Sequence, residues 1–240
     1  MIASADGCKG GWVVAIADGW PCKESPRLLI CKNFAEVVSE TKSCSATVVD
    51  MPIGLPAGPP ADEGHRQCDK DAREKLGRHG WNRVFLVPPR RTLEAQSLVE
   101  FQSSHASLLN CGAGLPVWGI VSKLKEVDQA MTPALQDRIY EFHPELVWWR
   151  LSGHTLSSKH GAAGIIERLE ILREMIPTLD RLHEWDGAKS LGHAKIDDLL
   201  DALVGLPVAG GIASTPQTSW RLPEKEPKRD ERGLRMEMWY

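Results

Sequence analysis

Aspartates close two short apolar runs of this chain, Asp6 after Ile2–Ala5 and Asp50 after Ala46–Val49, and three more crowd one later segment at Asp197, Asp198 and Asp201. Carboxylates in that number suit a hard divalent cation, Mg2+ or Mn2+, because such ions prefer all-oxygen shells. If the two runs are neighbouring parallel strands, their Cα atoms lie about 5 Å apart and both side chains reach one point above the sheet edge. A pair so placed repels itself without a cation. The plainer reading is that each aspartate caps a turn, since Asp is favoured at strand ends before Gly or Pro.

The stretch ADGCKGGWVVAIA at 5–17 brings three glycines next to Asp6. In phosphate-binding loops the glycines lead into a helix, whose free amides and dipole hold the anion. Here they lead into Trp12–Ala17, a β-branched and aromatic run closed by Asp18-Gly19, which reads as a strand. A hairpin follows, with Asp6 at the carboxyl end of a strand, where open α/β sheets place their ligands. Cys8 in that turn could act as a nucleophile, although a buried or incidental thiol is the simpler account.

The segment from Lys195 to Val204 repeats Ile196, Leu199, Leu200, Leu203 and Val204 at helical spacing, which puts Asp197, Asp198 and Asp201 on the other flank. Acids in a first helical turn are ordinarily explained by capping and by the helix dipole. That covers Asp197 and Asp198 but leaves Asp201. Like charges three and four residues apart cost about 0.2–0.5 kcal/mol each on an exposed helix, and a shared cation would reverse that penalty.

With 240 residues, 42% of them apolar, the chain can bury one sizeable core, and its net charge of −3 creates no global field for a polyanion. No uncharged apolar run approaches the ~20 residues needed to cross a bilayer, and the N-terminal residues lack a signal-peptide pattern, so a soluble, cytoplasmic protein without membrane partners is expected. Six cysteines without any C-x-x-C read as reduced thiols rather than a zinc site.

The elements that must position the acids follow from the patterning. Strands are expected at 2–6, 12–17, 27–32 and 46–50, with a helix at 34–42 between the last two. A Pro- and Gly-rich stretch then opens a helical insertion at 57–131, with helices at 66–77, 92–110 and 117–131, inside a single domain spanning 1–240. A strand at 138–143 precedes a stretch to 161 that reads as loop. Two helices close the core: 162–175, presenting Ile165, Ile166, Leu169, Leu172 and Ile176, and the acidic helix from Lys195. The charged, Pro-containing 223–232 reads as a mobile loop before a terminal edge strand at 236–240.

The order β-β-β-α-β, an insertion, then β and a final helix, with acids ending the first and fourth strands, resembles the ribonuclease H-like superfamily. Asp198-Leu-Leu-Asp201-Ala-Leu203 resembles the last helix of RuvC-type Holliday-junction resolvases, which carries paired metal-binding aspartates. More closely, DGCKGGW at 6–12, DMPIGLP at 50–56, CDKDAREKLG at 68–77, HPEL at 143–146 and DDLLDA at 197–202 together resemble the DUF429 family of predicted nucleases over nearly the whole chain. The resemblance implies an α/β ribonuclease H-like mixed sheet in β-β-β-α-β-α-β-α order with a helical insertion, and a metal-dependent nuclease site. Fold is implied more firmly than activity.

On this reading Asp6, Asp50, Asp198 and Asp201 are catalytic and ligate Mg2+ or Mn2+, Glu145 adds a ligand, and Lys9 and His143 contact a nucleic-acid or nucleotide substrate. His143 could instead be a packed structural residue, and Trp148-Trp149 could stack on bases or fill the core. A rival reading is a non-catalytic binding module that keeps the fold; a sugar-kinase-like phosphotransferase is disfavoured, because such enzymes usually need two copies of the core. If Asp6 shares a cation, millimolar Mn2+ should raise the melting temperature of the wild type and not of Asp6→Asn. Equal gains by both proteins, or none by either, would remove the shared site.

Overall fold

The computed structural model describes Met1 to Tyr240 except Glu63, Ala113 and His193, and describes Thr218 by its backbone alone. Glu63 and Ala113 belong to the expected 57–131 insertion and lie outside the described residues. The chain opens with β1 (Ile2–Cys8), β2 (Gly11–Ala17), β3 (Arg27–Cys31), α1 (Phe34–Glu40) and β4 (Ala46–Asp50). Next come α2 (Gln67–Gly80), α3 (Leu98–Leu109), α4 (Leu115–Ala130) and β5 (Ile139–Glu141). The remainder forms α5 (Pro144–Ser152), α6 (Ala162–Met175), α7 (Ile196–Ser214) and the short strands β6 (Arg221–Leu222) and β7 (Met238–Trp239).

Two compact units divide the chain, one of Met1–Met51, Arg138–Trp220 and Trp239–Tyr240, the other of Pro52–Asp137 and Arg221–Met238. The first is α/β, with a mixed five-stranded sheet in the order β3-β2-β1-β4-β5. β1, β2 and β3 pair antiparallel, while β4 runs parallel to both β1 and β5. All seven residues of β2 are buried, as expected of a strand covered on both faces. Trp239 extends the far edge through a parallel bridge to Phe142.

Glycines next to Asp6 serve the backbone rather than a phosphate. Gly10 takes φ +84 in the two-residue turn between Cys8 and Gly11, a conformation that suits glycine. At Gly11 an added Cβ would lie 2.2 Å from the Cys31 carbonyl oxygen, so β2 and β3 approach there only without a side chain. β1 also runs two residues past the expected end at Asp6, because the hairpin ladder continues through Gly7 and Cys8.

Helix α7 lies across β1, β4 and β2 and is buried nearly all round. Its close approach depends on Gly205, where a Cβ would stand 2.0 Å from Ser4 Oγ and 2.8 Å from Phe142 Cζ. Ile196, expected to face the core, is instead 39% exposed, since the chain has only just entered the helix there. Two further expectations are corrected. The 144–161 stretch read as loop begins with the helix α5: Pro144 occupies its first turn, the His143 side chain caps it by accepting from Glu145 N, and Leu146, Val147 and Trp148 are buried. In α6 the expected Leu172 and, just past the helix, Ile176 are buried, whereas Ile166 is 53% exposed and Gly164 and Arg168 are buried instead.

The second unit contains α2, α3 and α4 and is organised by buried ion pairs. Arg66 Nη2 sits 2.5 Å from Asp69 Oδ1, with Arg66 Nη1 donating to the carbonyls of Ile53 and Gly54 and the Val87 amide donating to Asp69 Oδ2. The stretch 223–232 is irregular but gathered around Asp230, which accepts from the amides of Leu55, Arg232 and Leu234 and pairs with Arg90. Replacing Gly205 by Ala gains up to about 1 kcal/mol of helix propensity. Overpacking costs about 1–3 kcal/mol or more, so Gly205→Ala should be net destabilising in urea, and Ser4→Ala added to it should recover part of the loss.

Candidate functional site

Asp6 and Asp50 are directly paired across the parallel β1–β4 ladder, at the last step the two strands share. Register partners in a parallel pair send their side chains to the same face, so the two carboxyls stand side by side at the carboxyl end of the ladder the two strands share. Asp6 is only 6% exposed. Local sequence turns β1 back at Lys9-Gly10 and stops β4 at Met51-Pro52; the juxtaposition of the two acids comes from pairing 44 residues apart.

Asp201 joins them through the geometry of α7. Gly205 lies over Ser4, Asp201 is one turn earlier on the same helix face, and Asp6 is two residues later on the same face of β1 as Ser4. Four helical residues advance about 6 Å and two strand residues about 6.6 Å, so the helix running back along β1 carries Asp201 to the level of Asp6. Its side chain is 1% exposed, with Oδ1 accepting from Trp148 Nε1 at 2.9 Å and Oδ2 from Lys159 Nζ at 2.6 Å. Asp201 therefore does not occupy a solvated flank, as a lone amphipathic pattern implies.

The electrostatics register this crowding. Burial, then Asp50 and Asp201, holds the Asp6 carboxyl well above the usual carboxylate range, with Lys159 opposing. Burial first, and then Asp201, pushes Asp50 up to about 8, with Glu141 and Glu145 adding to the rise and Lys159 again opposing it. Burial works against the charge of Lys159 too, yet Asp201, followed by Asp50 and Asp6, keeps its ammonium above the ordinary lysine range. Lys159 is thus the cation felt by three acids at once.

The other expected residues fall nearby in different roles. Asp198, in the first turn of α7, accepts from the Lys195 amide at 3.0 Å and is shifted upward mainly by burial. Asp197, two residues from Lys195, has its Oδ2 3.4 Å from His160 Nδ1. Glu145 Oε1 accepts from Arg168 Nη2 at 2.8 Å, and Arg168 lies over the Trp148 ring, 5.5 Å from its centroid. His143 uses Nδ1 to cap α5, so as a neutral ring it carries its proton on Nε2. Lys9 is exposed in the β1–β2 turn. Trp148 is fully buried and holds Asp201, which removes it as a stacking platform. The six cysteines are free, and Cys8 is buried.

Among the described residues no three His, Cys, Asp or Glu side chains are already gathered tightly enough to hold an ion. No helix among them is long and apolar enough to cross a membrane. The sequence signal pointed to the acids but not to Arg168 or Glu141; Lys159 counted there only as one of several basic residues that could contact a phosphate, because a lysine in a Gly- and Ser-containing stretch looks like any solvated lysine.

A family model described as "Protein of unknown function (DUF429)" matches residues 5–227. The chain belongs to the DUF429 family. Neither the curated proteins nor the solved structures contain a match. This DUF429 chain therefore has to be read from its own site.

An acid whose folded pKa is raised favours the protonated form, so its contribution to stability is full below its unfolded pKa of about 4 and is lost as pH rises through the folded value. With Asp50 pushed up to about 8 and Asp6 raised in the same direction, the metal-free protein should lose stability steadily between about pH 4 and about pH 8. Thermal melts across that window should show a smaller loss in Asp50→Asn; an unchanged slope would mean that the carboxyl is not held in a crowded, buried setting.

Proposed function

We propose that this chain is a divalent-cation-dependent phosphodiester hydrolase with a ribonuclease H-like core, acting on a nucleic acid or a nucleotide. The observation that carries the reading is the pairing of Asp6 with Asp50 on adjacent parallel strands, faced by buried Asp201 from α7. The strand order, with three antiparallel strands followed by two parallel ones, supports the ribonuclease H-like assignment.

The residues present fit a hard cation by charge and by chemistry. Asp6, Asp50 and Asp201 offer carboxylate oxygens, with Asp198 one turn further out, against the single ammonium of Lys159. A protein that needed no further cation would gain by replacing one of these acids, because buried like charges are costly. Mg2+ or Mn2+ bound there would make water a better nucleophile and neutralise charge developing on the phosphoryl oxygens.

The chain's own residues do the holding. Asp6 and Asp50 supply neighbouring ligands, and the Trp148 indole fixes the rotamer of Asp201 so that one oxygen stays turned toward Lys159 and the strand acids. Arg168 in turn seats Trp148 and pairs with Glu145, whose charge is felt at Asp50. Lys9, exposed in the hairpin turn after Asp6, is placed to attract a phosphate. His143, bound into the α5 cap through Nδ1, is limited to Nε2 for any contact with substrate.

A second reading is a non-catalytic binding module that keeps this fold, and one observation favours it: Lys159 already partly compensates the acids without any metal. Calorimetry with Mn2+ and cleavage of single-stranded, duplex and branched substrates separate the two. Asp201→Asn should weaken Mn2+ binding about tenfold or more, on the order of 1.4 kcal/mol, and reduce cleavage with it. Asn can still accept from Trp148 but no longer balances Lys159. Equal Mn2+ affinity in wild type and variant would remove Asp201 from the ligand set; tight binding with no cleavage of any substrate would favour the binding module.

A further inference from the structure

The segment that carries Lys159 is fixed on both sides of it. Before it, Ser157 O accepts from Arg168 Nη1 at 3.0 Å, and the same nitrogen donates to Gly164 O at 2.9 Å. Gly164 itself lets the segment lie against α6, since a Cβ there would stand 2.2 Å from Ser158 O. Past Lys159, the Gly161 amide donates to Ser158 O at 3.0 Å, closing a turn around the lysine. Backbone held from both flanks leaves the lysine stem as the movable part.

Lys159 and Arg168 both serve this region, and they differ in what they can do. Arg168 has a planar fork tied to Glu145, Ser157 and Gly164 and a side chain 0% exposed. Lys159 ends in a compact ammonium on a four-carbon stem, touches Asp201 with one hydrogen bond and is 32% exposed. Only the lysine can leave its partner by rotating its own side chain toward solvent.

We propose that Lys159 is a built-in counter-ion of the acid cluster: it occupies Asp201 Oδ2 when no divalent cation is bound and gives that oxygen up when one binds, which frees its ammonium for the phosphate of the substrate. This rests on reading the cluster as a cation-dependent phosphodiesterase site. The physical reason is charge. An ammonium and a divalent cation on one carboxylate repel strongly in a buried setting, while loss of both would leave Asp201 beside Asp6 and Asp50 uncompensated. One site thus has two arrangements in which Asp201 has a positive partner, and the exchange couples cation binding to the appearance of a phosphate-binding group.

Removing the charge while keeping the stem tests the exchange. Lys159→Met should melt at a lower temperature than wild type without metal, bind Mn2+ about tenfold or more tightly by calorimetry because its competitor is gone, and show a larger rise in melting temperature with Mn2+. It should also bind oligonucleotide more weakly in the presence of Mn2+, as the freed ammonium is missing. Lys159→Arg, which keeps a charge on Asp201 and can hold it with two hydrogen bonds, should bind Mn2+ several-fold less tightly than wild type. In the wild type, Mn2+ should speed acylation of Lys159 by an amine-reactive reagent relative to Lys9, read by mass spectrometry. Mn2+ affinity in Lys159→Met equal to or below that of a metal-binding wild type overturns the exchange and leaves the metal reading standing. Absence of Mn2+ binding by both proteins overturns the metal reading and the exchange together. If Lys159→Met does not fold, the arginine variant and the acylation rates decide: unchanged affinity and unchanged labelling overturn the proposal.

Discussion

Repulsion among carboxylates is the constraint around which the first unit is built. Asp6 and Asp50 share the last step of a parallel ladder, and Asp201 faces them from a helix that is itself buried. Water cannot screen charges so placed, which is why both strand acids hold their protons above the usual range. Once those protons are lost, positive charge has to be brought in from elsewhere in the chain or from solution. Lys159 is the answer supplied by the chain, and it is partial: one ammonium against three acids, with Asp198 close behind.

The scaffold around this cluster is arranged so that the acids cannot turn away. Gly205 lets α7 settle onto Ser4, and this sets the level of Asp201 along β1. Trp148 donates to one oxygen of Asp201, and Arg168 lies over the Trp148 ring while pairing with Glu145. A rotamer held by an indole that is held by a guanidinium is a way of keeping a carboxylate where its neighbours repel it. Glu145 and His143 are drawn into the same framework, one through Arg168 and the other as the cap of α5. The charge of Glu145 is felt at Asp50, and part of the hydrogen-bonding capacity of both residues is already spent on structure.

In the second unit the motif residues have a scaffold role. Cys68 and Asp69 of CDKDAREKLG are fully buried, and Asp69 ties Arg66 to the Val87 amide while Arg66 reaches the carbonyls of Ile53 and Gly54 within DMPIGLP. Two of the motifs that carry the family resemblance are thus partly a buried ion pair and its backbone partners. Asp230 does similar service for the irregular 223–232 stretch, collecting three backbone amides and Arg90. Such pairs are poor evidence of stability by themselves, because desolvation offsets most of the attraction; here they fix backbone that has no regular hydrogen-bond ladder.

The sequence by itself determined the five strands of the mixed sheet, the hairpin at the glycines, the long acidic helix and the placement of Asp50 at a strand end and Asp6 near one, because each of these is written in residues within a few places of one another. It misread 144–152 as loop and put Ile166 of α6 inward where Arg168 is buried instead, since the helix start at Pro144 and the burial of Arg168 depend on partners elsewhere in the unit. The pairing of Asp6 with Asp50, the burial of Asp201 and the placement of Lys159 upon it were decided only by tertiary structure. Lys159 and Trp148 lie 42 and 53 residues from Asp201, and no local pattern of apolar and polar residues encodes a contact at that distance. Local spacing fixes which way a side chain leaves its own helix or strand; only the packing of α7 across the sheet fixes what it meets there.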